Sequence, residues 1–255
     1  MEGYALITGA TSGIGLELAR NFCRDKIPVI LAARSEERLQ ELKKHLEESY
    51  NAHVVTVAVD LAKEEGPEML YQAVKDLPVV FLVNNAGIGT FGRLANTAMA
   101  DEVQLVKLNI LALLKLTKLF VPAMVEHRSG YILNVASMAA FMPGPVMANY
   151  YASKAYVLSL SEALHEELKS QGIRVTALCP GPVRTNFQER AGIQKKPSAQ
   201  RFMLEAKAVA DEGYAGLWKG KAVVIPGTFS KVMPALLGFL PRSLRRKAAW
   251  LSQKE

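Results

Sequence analysis

The chain has 255 residues, 50% hydrophobic and 22% charged, enough apolar material to bury a full core in one large domain or two small ones. Its formal net charge is +7, but from Thr228 onward Lys231, Arg242, Arg245, Arg246, Lys247 and Lys254 face only Glu255, a net of +5 that leaves +2 for the rest. A near-neutral body with a basic tail argues against a nucleic-acid-binding fold, and no stretch approaches the roughly 20 apolar residues that span a bilayer.

Short apolar or β-branched runs at Tyr4–Thr8, Val29–Ala33, His53–Val59, Val79–Asn84, Tyr131–Ser137, Ile173–Cys179 and Ala222–Ile225 are expected to be strands. The first strand begins so early that no room is expected for a signal peptide ahead of the fold. It runs into Thr8-Gly9-Ala10-Thr11-Ser12-Gly13-Ile14-Gly15 and then an apolar-periodic helix. Glycines there let the backbone turn tightly and approach a pyrophosphate at the positive helix N-terminus; a plain helix-entry loop is the alternative. The second strand ends Ala32-Ala33-Arg34-Ser35, without the carboxylate that would bind ribose hydroxyls and repel a 2′-phosphate. Arg34, with donors from Ser35 and Thr11, is expected to take the 2′-phosphate of NADP(H); a solvated Arg34 and NAD are the alternative.

Ser35 is the expected N-cap of a helix with Leu39, Leu42 and Leu46 on one face, and Glu36-Glu37 and Glu64-Glu65 read as helix starts. Met99 to Val125 reads as one long helix kinked at Pro122, and Tyr150 to Ser170 as another closed by Gly172. Strands alternating with helices, and nearly continuous in apolar residues, imply an α/β fold: one Rossmann-like, doubly wound parallel sheet of about seven strands with helices on both faces. That domain is expected over residues 1–227, followed by a basic, partly apolar tail over 228–255. Cys23 and Cys179 read as reduced core thiols of a cytosolic protein. The four histidines show no metal-ligand spacing, so no metal is expected.

Tyr150 and Lys154 stand at i, i+4 near a helix start, where an ammonium and the helix dipole would both lower the phenol's pKa from about 10. Tyr-x-x-x-Lys alone is more often an ordinary helix face. Here it belongs to an ordered series: the glycine turn, Asp60-Leu61, Asn84-Asn85-Ala86-Gly87, Asn109, Ser137, Tyr150-x-x-x-Lys154 and Pro180-Gly181. In that series the chain resembles the short-chain dehydrogenase/reductase family over roughly residues 3 to 227.

The resemblance implies a carbonyl–alcohol oxidoreductase with Tyr150 as proton donor and Lys154 as its activator and holder of the nicotinamide ribose. It also implies that Ser137 binds the substrate oxygen and that Asn109 holds a water relaying protons to Lys154. The cofactor would lie on Gly9, Thr11, Ser12, Gly13, Ile14 and Gly15, with Asp60 and Leu61 at the adenine and Asn85, Ala86 and Gly87 at the adjoining ribose. Pro180, Gly181, Val183 and Thr185 would meet the nicotinamide end. Blander roles remain open: Asp60 as a helix cap, Ser137 as a strand-end cap, and Asn109 as an amide bonded within its helix.

The loop from Met138 to Met147 and the insertion after Pro180, with Phe187, Phe202, Met203 and Leu204, are apolar, which suggests a hydrophobic ketone or alcohol as substrate, or else lid and interface packing. Tyr151 is out of register with Lys154 and is expected to pack or to line the pocket. Arg184, Arg190, Lys195 and Lys196 suit a phosphorylated carrier, which keeps a 3-oxoacyl-thioester reductase open. A non-catalytic, cofactor-binding regulatory protein is the reading from another class. The family resemblance implies a homodimer or homotetramer. The tail, with Pro234, Pro241, Trp250 and Leu251, either folds over the pocket or a second copy, or gives a cytoplasmic protein a peripheral membrane contact.

Overall fold

Apolar runs with turn residues at both ends form strands where the sequence places them, and the structure, a computed structural model, describes residues 3–192, 203–227 and 241–252. The main strands are β1 (Tyr4–Thr8), β2 (Val29–Ala33), β3 (Val54–Ala58), β4 (Val79–Asn84), β5 (Gly130–Val135), β6 (Ile173–Leu178) and β9 (Val223–Val224). They pair in parallel in the order β3-β2-β1-β4-β5-β6-β9. Two further two-residue strands, β7 (Val183–Arg184) and β8 (Leu204–Glu205), form a separate parallel pair that sequence periodicity cannot signal. The order reverses between β1 and β4, so the crevice at their carboxyl ends is the topological switch point where such sheets bind ligands.

The helices are α1 (Gly13–Arg24), α2 (Glu36–Tyr50), α3 (Gly66–Val74), α4 (Met99–Val106), α5 (Leu113–Glu126), α6 (Ala148–Lys169), α7 (Phe187–Arg190), α8 (Ala206–Trp218) and α9 (Arg242–Ser252). Side chains alternate across the sheet although the strands are continuously apolar. Ala5, Ile7, Val29 and Leu31 pack with Leu18, Phe22, Leu39, Leu46 and Leu217 of α1, α2 and α8. Leu6, Ile30 and Ala32 pack on the other face with Leu70, Leu116, Phe120 and Met124 of α3 and α5. Two cores therefore clamp one rigid sheet, each buried aliphatic or aromatic side chain contributing about 1.5–3 kcal/mol. Ser35 caps α2 as expected, its hydroxyl accepting from the Arg38 N–H at 3.4 Å.

Two expectations are corrected. The long helix does not depart from α geometry at Pro122, which sits inside α5; a π turn at Lys107–Ala112, containing Asn109, interrupts it earlier. The combined run Met99–Glu126 is also long and apolar enough to cross a membrane by length and composition, an 18-residue window within it having a mean hydropathy of 1.7, where no such stretch was expected. One side of it packs on the sheet through Leu116, Phe120 and Met124, as the core helix of a doubly wound fold does.

Candidate active site

The turn between β1 and α1 is shaped by its contacts with the segment after β4. Gly9 and Gly13 hold φ of 65° and 59°, a left-handed conformation that side chains rarely adopt. The Asn85 amide donates to Thr8 O at 2.9 Å and Gly9 O at 3.2 Å, while Thr8 Oγ1 accepts from the Asn85 and Ala86 N–H groups at 3.0 Å. Asn85 thus anchors the loop with its side chain instead of reaching outward. Ser12 is the N-cap of α1 without a side-chain cap bond, and the first turn holds no acidic residue. The turn presents free helix-end N–H groups and a positive dipole, the chemistry an anionic pyrophosphate needs.

Arg34 is exposed at the end of β2, with no ion pair among the described residues, and Arg38 is exposed one turn into α2. Asp60 does not cap a helix: its Oδ1 accepts from the Ala62 N–H at 3.0 Å, closing a local turn, and α3 begins only at Gly66. Leu61 and Val183 are buried, at 6% and 7% exposure, with their side chains in the two cores. Thr185 faces the glycine turn, since a Cβ on Gly13 would lie 2.9 Å from its Cγ2. Pro180 and Gly181 follow β6, and Pro180 O accepts from the Met138 N–H at 2.8 Å, tying this edge to the end of β5.

Tyr150 falls in the first turn of α6, with the Ser137 hydroxyl near enough to its phenol to pull the pKa down. Ser137 also caps the 3-10 turn Met138–Phe141, its Oγ accepting from the Ala139 N–H at 3.1 Å, so the capping role and the site role coexist. Lys154 is 6% exposed and donates from Nζ to Val135 O at 2.8 Å, with Nζ 5.9 Å from the Tyr150 ring centroid. Burial pushes the Tyr150 phenol up to about 12, the Ser137 hydroxyl opposing and the Tyr151 charge adding. Burial likewise brings the Lys154 ammonium down to about 8, against a small upward pull from Cys179. The expected lowering of the tyrosine is therefore not found in the chain alone: desolvation outweighs the pull of the Ser137 hydroxyl, and the ammonium points at a backbone carbonyl.

The Asn109 side chain is fully engaged by the protein itself. Its Oδ1 accepts from the Ile88 N–H at 2.9 Å, and its Nδ2 donates to Ile88 O at 2.9 Å and to Ser153 Oγ at 3.1 Å. The amide clamps the loop after β4 to α6, so its backbone partner lies across the fold and not within its own helix. Ser153, missed in the sequence, completes this clamp: it is fully buried and donates to Tyr150 O at 2.7 Å. A serine in a helix carries no periodic signal, and only its place beside Lys154 hinted at it. Gly87 lies against the group, since a Cβ there would sit 3.2 Å from Asn109 Oδ1 and 3.5 Å from Lys154 Nζ.

Of the apolar lid residues, Phe187 lies beside Tyr150 with ring centroids 5.4 Å apart and planes tilted by 47°, and a Cβ on Gly89 would lie 2.9 Å from its Cζ. Met203 and Leu204 are half-buried, and Phe202, Lys195 and Lys196 lie outside the described residues, as does the Arg190 side chain. Arg184 pairs with Glu205 at 3.3 Å. The loop over 140–145, with Tyr151, Ala152 and Ala155 of α6 and Arg245 and Arg246 of α9, lines a cavity of about 660 Å³ whose described walls do not include Tyr150. Phe187, Met203 and Leu204 are not among its described walls, so the two apolar segments do not share that cavity. Cys23 and Cys179 are free and buried, and burial raises both thiols to about 12. In the tail, α9 packs on the body, with Ala249 fully buried and the Arg93 guanidinium 5.8 Å from the Trp250 ring centroid; Lys231 and Pro234 lie outside the described residues.

A family model described as short chain dehydrogenase matches residues 3–196. The very-long-chain 3-oxoacyl-CoA reductase of Rattus norvegicus is 31% identical over 246 residues, covering 92% of this chain and 77% of the rat protein. A solved short-chain dehydrogenase from Sphingobium yanoikuyae in complex with NADPH is 30% identical with a TM-score of 0.86, covering 99% of this chain and 96% of that one. A bulky-bulky ketone specific alcohol dehydrogenase from Comamonas testosteroni is 27% identical with a TM-score of 0.80, covering 94% and 96% of the two chains.

Proposed function

The chain belongs to the short chain dehydrogenase family of oxidoreductases, and from that premise we propose that it is an NADP(H)-dependent enzyme interconverting a carbonyl and a secondary alcohol on a hydrophobic substrate. The observation that carries this reading is the meeting of the Ser137–Tyr150 hydroxyl pair with buried Lys154 beside Gly87, next to the open N-terminus of α1. The cofactor would lie along Gly9 to Gly15, with Arg34 and Ser35 at a 2′-phosphate, Asp60 and Leu61 at the adenine, Asn85 and Ala86 at the ribose, and Pro180, Gly181, Val183 and Thr185 at the nicotinamide end. When bound, it supplies or accepts the hydride. Tyr150 gives its phenolic proton to the carbonyl oxygen in reduction and recovers one in oxidation. Ser137 holds that oxygen, Lys154 steadies the developing phenolate, and Asn109 with Ser153 fixes the loop and helix that carry them.

Two relatives' names bear on the substrate. That of the rat enzyme favours a 3-oxoacyl thioester as a second reading, and that of the Comamonas enzyme favours a bulky ketone. A screen of NADPH oxidation over hydrophobic ketones, aldehydes and 3-oxoacyl thioesters, repeated with NADH, separates them. Tyr150→Phe should lower kcat by about 10²–10⁴-fold; a biological activity that survives this change intact would instead point to a non-catalytic, cofactor-binding protein. Arg34→Glu should weaken NADPH about ten- to hundredfold while sparing NADH, and equal loss of both would remove the 2′-phosphate role.

The catalytic unit is assigned to residues 1–227 and an accessory tail to 228–255. A homodimer or homotetramer through the helices carrying Asn109 and Tyr150 suits the exposed Leu111 and Leu114, at 44% and 38%. A cytoplasmic enzyme with peripheral membrane contact through α9 suits its exposed Leu244 and Leu251, at 50% and 67%.

A further inference from the structure

Helix α6 has two working sides, and the carbonyl chemistry uses only one. At about 100° per residue, Lys154 lies about 40° around the helix from Tyr150, whereas Ala152 and Ala155 lie about 160° and 140° away. The cavity of about 660 Å³ is on that far side, within the about 300–1,000 Å³ typical of small-molecule sites. Tyr150, Ser137 and Lys154 are absent from its described walls. Those walls come from one continuous stretch and one distant helix: the loop supplies Phe141 and Met142, the α6 that follows it supplies Tyr151 and Ala155, and α9 supplies Arg245 and Arg246. Tyr151 is pressed against the loop at Gly144, where an added Cβ would collide with its ring.

The chemistry of these walls is divided. Aromatic, methionine and alanine surface makes one side, which suits a flexible hydrocarbon. The other side carries two guanidiniums, and no described wall residue is acidic. A guanidinium fork matches a carboxylate or a phosphate, and it gains strength beside a low-dielectric wall.

We propose that this cavity is a second binding site, for an amphiphile with one aliphatic chain and an anionic oxygen headgroup. The chain lies along Phe141, Met142 and Ala155, and the headgroup meets Arg245 and Arg246. The loop that forms the apolar wall begins next to Ser137, so occupancy acts on the reaction through that loop and not by competition at Tyr150.

The test is calorimetric titration of the full-length protein with dodecyl phosphate and with tridecanoate, which share a 12-carbon chain, below their micelle concentrations, against dodecanol. One molecule should bind per chain, each anion at least tenfold more tightly than the alcohol, and each added CH₂ should tighten binding about fourfold. A preference between phosphate and carboxylate identifies the headgroup source, and either one supports the site. Arg246→Gln should erase the anion preference while carbonyl reduction is unchanged. Ala155→Leu, with Ala155→Trp as the larger filling, should weaken binding at least tenfold with the fold intact by circular dichroism. Unchanged binding in Arg246→Gln and Ala155→Leu overturns the proposal. So does loss of binding in Phe187→Trp with retention in Ala155→Leu, which would place the amphiphile beside Tyr150. A dimer that Ala155→Leu disrupts, with no amphiphile bound, would give the face to a second copy and also overturn it.

Discussion

Burial acts in opposite directions on the two groups of the candidate pair, holding the Tyr150 phenol neutral to about 12 and releasing the Lys154 proton near 8. In the free enzyme the group that titrates within an ordinary assay range is therefore the lysine. The kcat/KM for carbonyl reduction should hold up to about pH 8 and fall above it as the ammonium is lost, and Lys154→Met should remove that inflection. Stability moves the other way. The unfolded chain keeps the Lys154 proton to its ordinary value of 10.5, so between about 8 and 10.5 the unfolded state binds more protons, and this group's contribution to stability rises with pH. Urea titrations of the parent and Lys154→Met across that window should show the parent gaining relative to the variant; a parallel pair of curves would contradict the buried ammonium. The tyrosine's opposite contribution is lost only above its ordinary value of 10.0. The i, i+4 spacing announced the pair but not these directions, because spacing does not reveal that Lys154 Nζ turns to Val135 O.

At the scale of elements, the site is held by contacts between pieces that the sequence separates widely. Strand positions were legible because apolar runs and turn residues encode them locally, as was the glycine turn before α1. The π turn at Asn109 was not, since an i→i+5 turn answers to a tertiary partner, here Ile88, and not to local propensity. The Asn85 anchor was likewise hidden: a Cβ on Gly15 would lie 2.6 Å from Gly9 O and collide with the Asn85 amide. Gly15→Ala must therefore move backbone, and should cost about 1–3 kcal/mol of stability as well as cofactor affinity. Gly87→Ala meets only the side-chain ends of Asn109 and Lys154. It should leave the melting temperature nearly unchanged while lowering kcat, and a stability loss equal to that of Gly15→Ala would mean the clamp is only structural.

For the whole molecule, the charge division seen in composition acquires a geometry. The tail's Ala249 is buried against the body while Leu244, Lys247 and Leu251 turn outward from α9, so a packed tail and a surface-seeking tail are two sides of one helix. The sequence offered these as alternatives because a lone amphipathic segment does not say which of its faces the body takes. Two exposed leucines beside Lys247 and Arg246 form a small apolar patch with a basic border, suited to an anionic bilayer surface, where each basic residue contributes about 1 kcal/mol. Such contact is screened by salt. The full-length protein should therefore co-sediment with vesicles rich in anionic lipid at low ionic strength, much less with neutral vesicles, and less again in high salt. Leu244→Glu with Leu251→Glu should abolish the binding while NADPH oxidation in solution persists, since neither side chain approaches Tyr150. Vesicle binding that ignores both the double change and the salt would assign the contact to another surface and leave α9 a packing element alone.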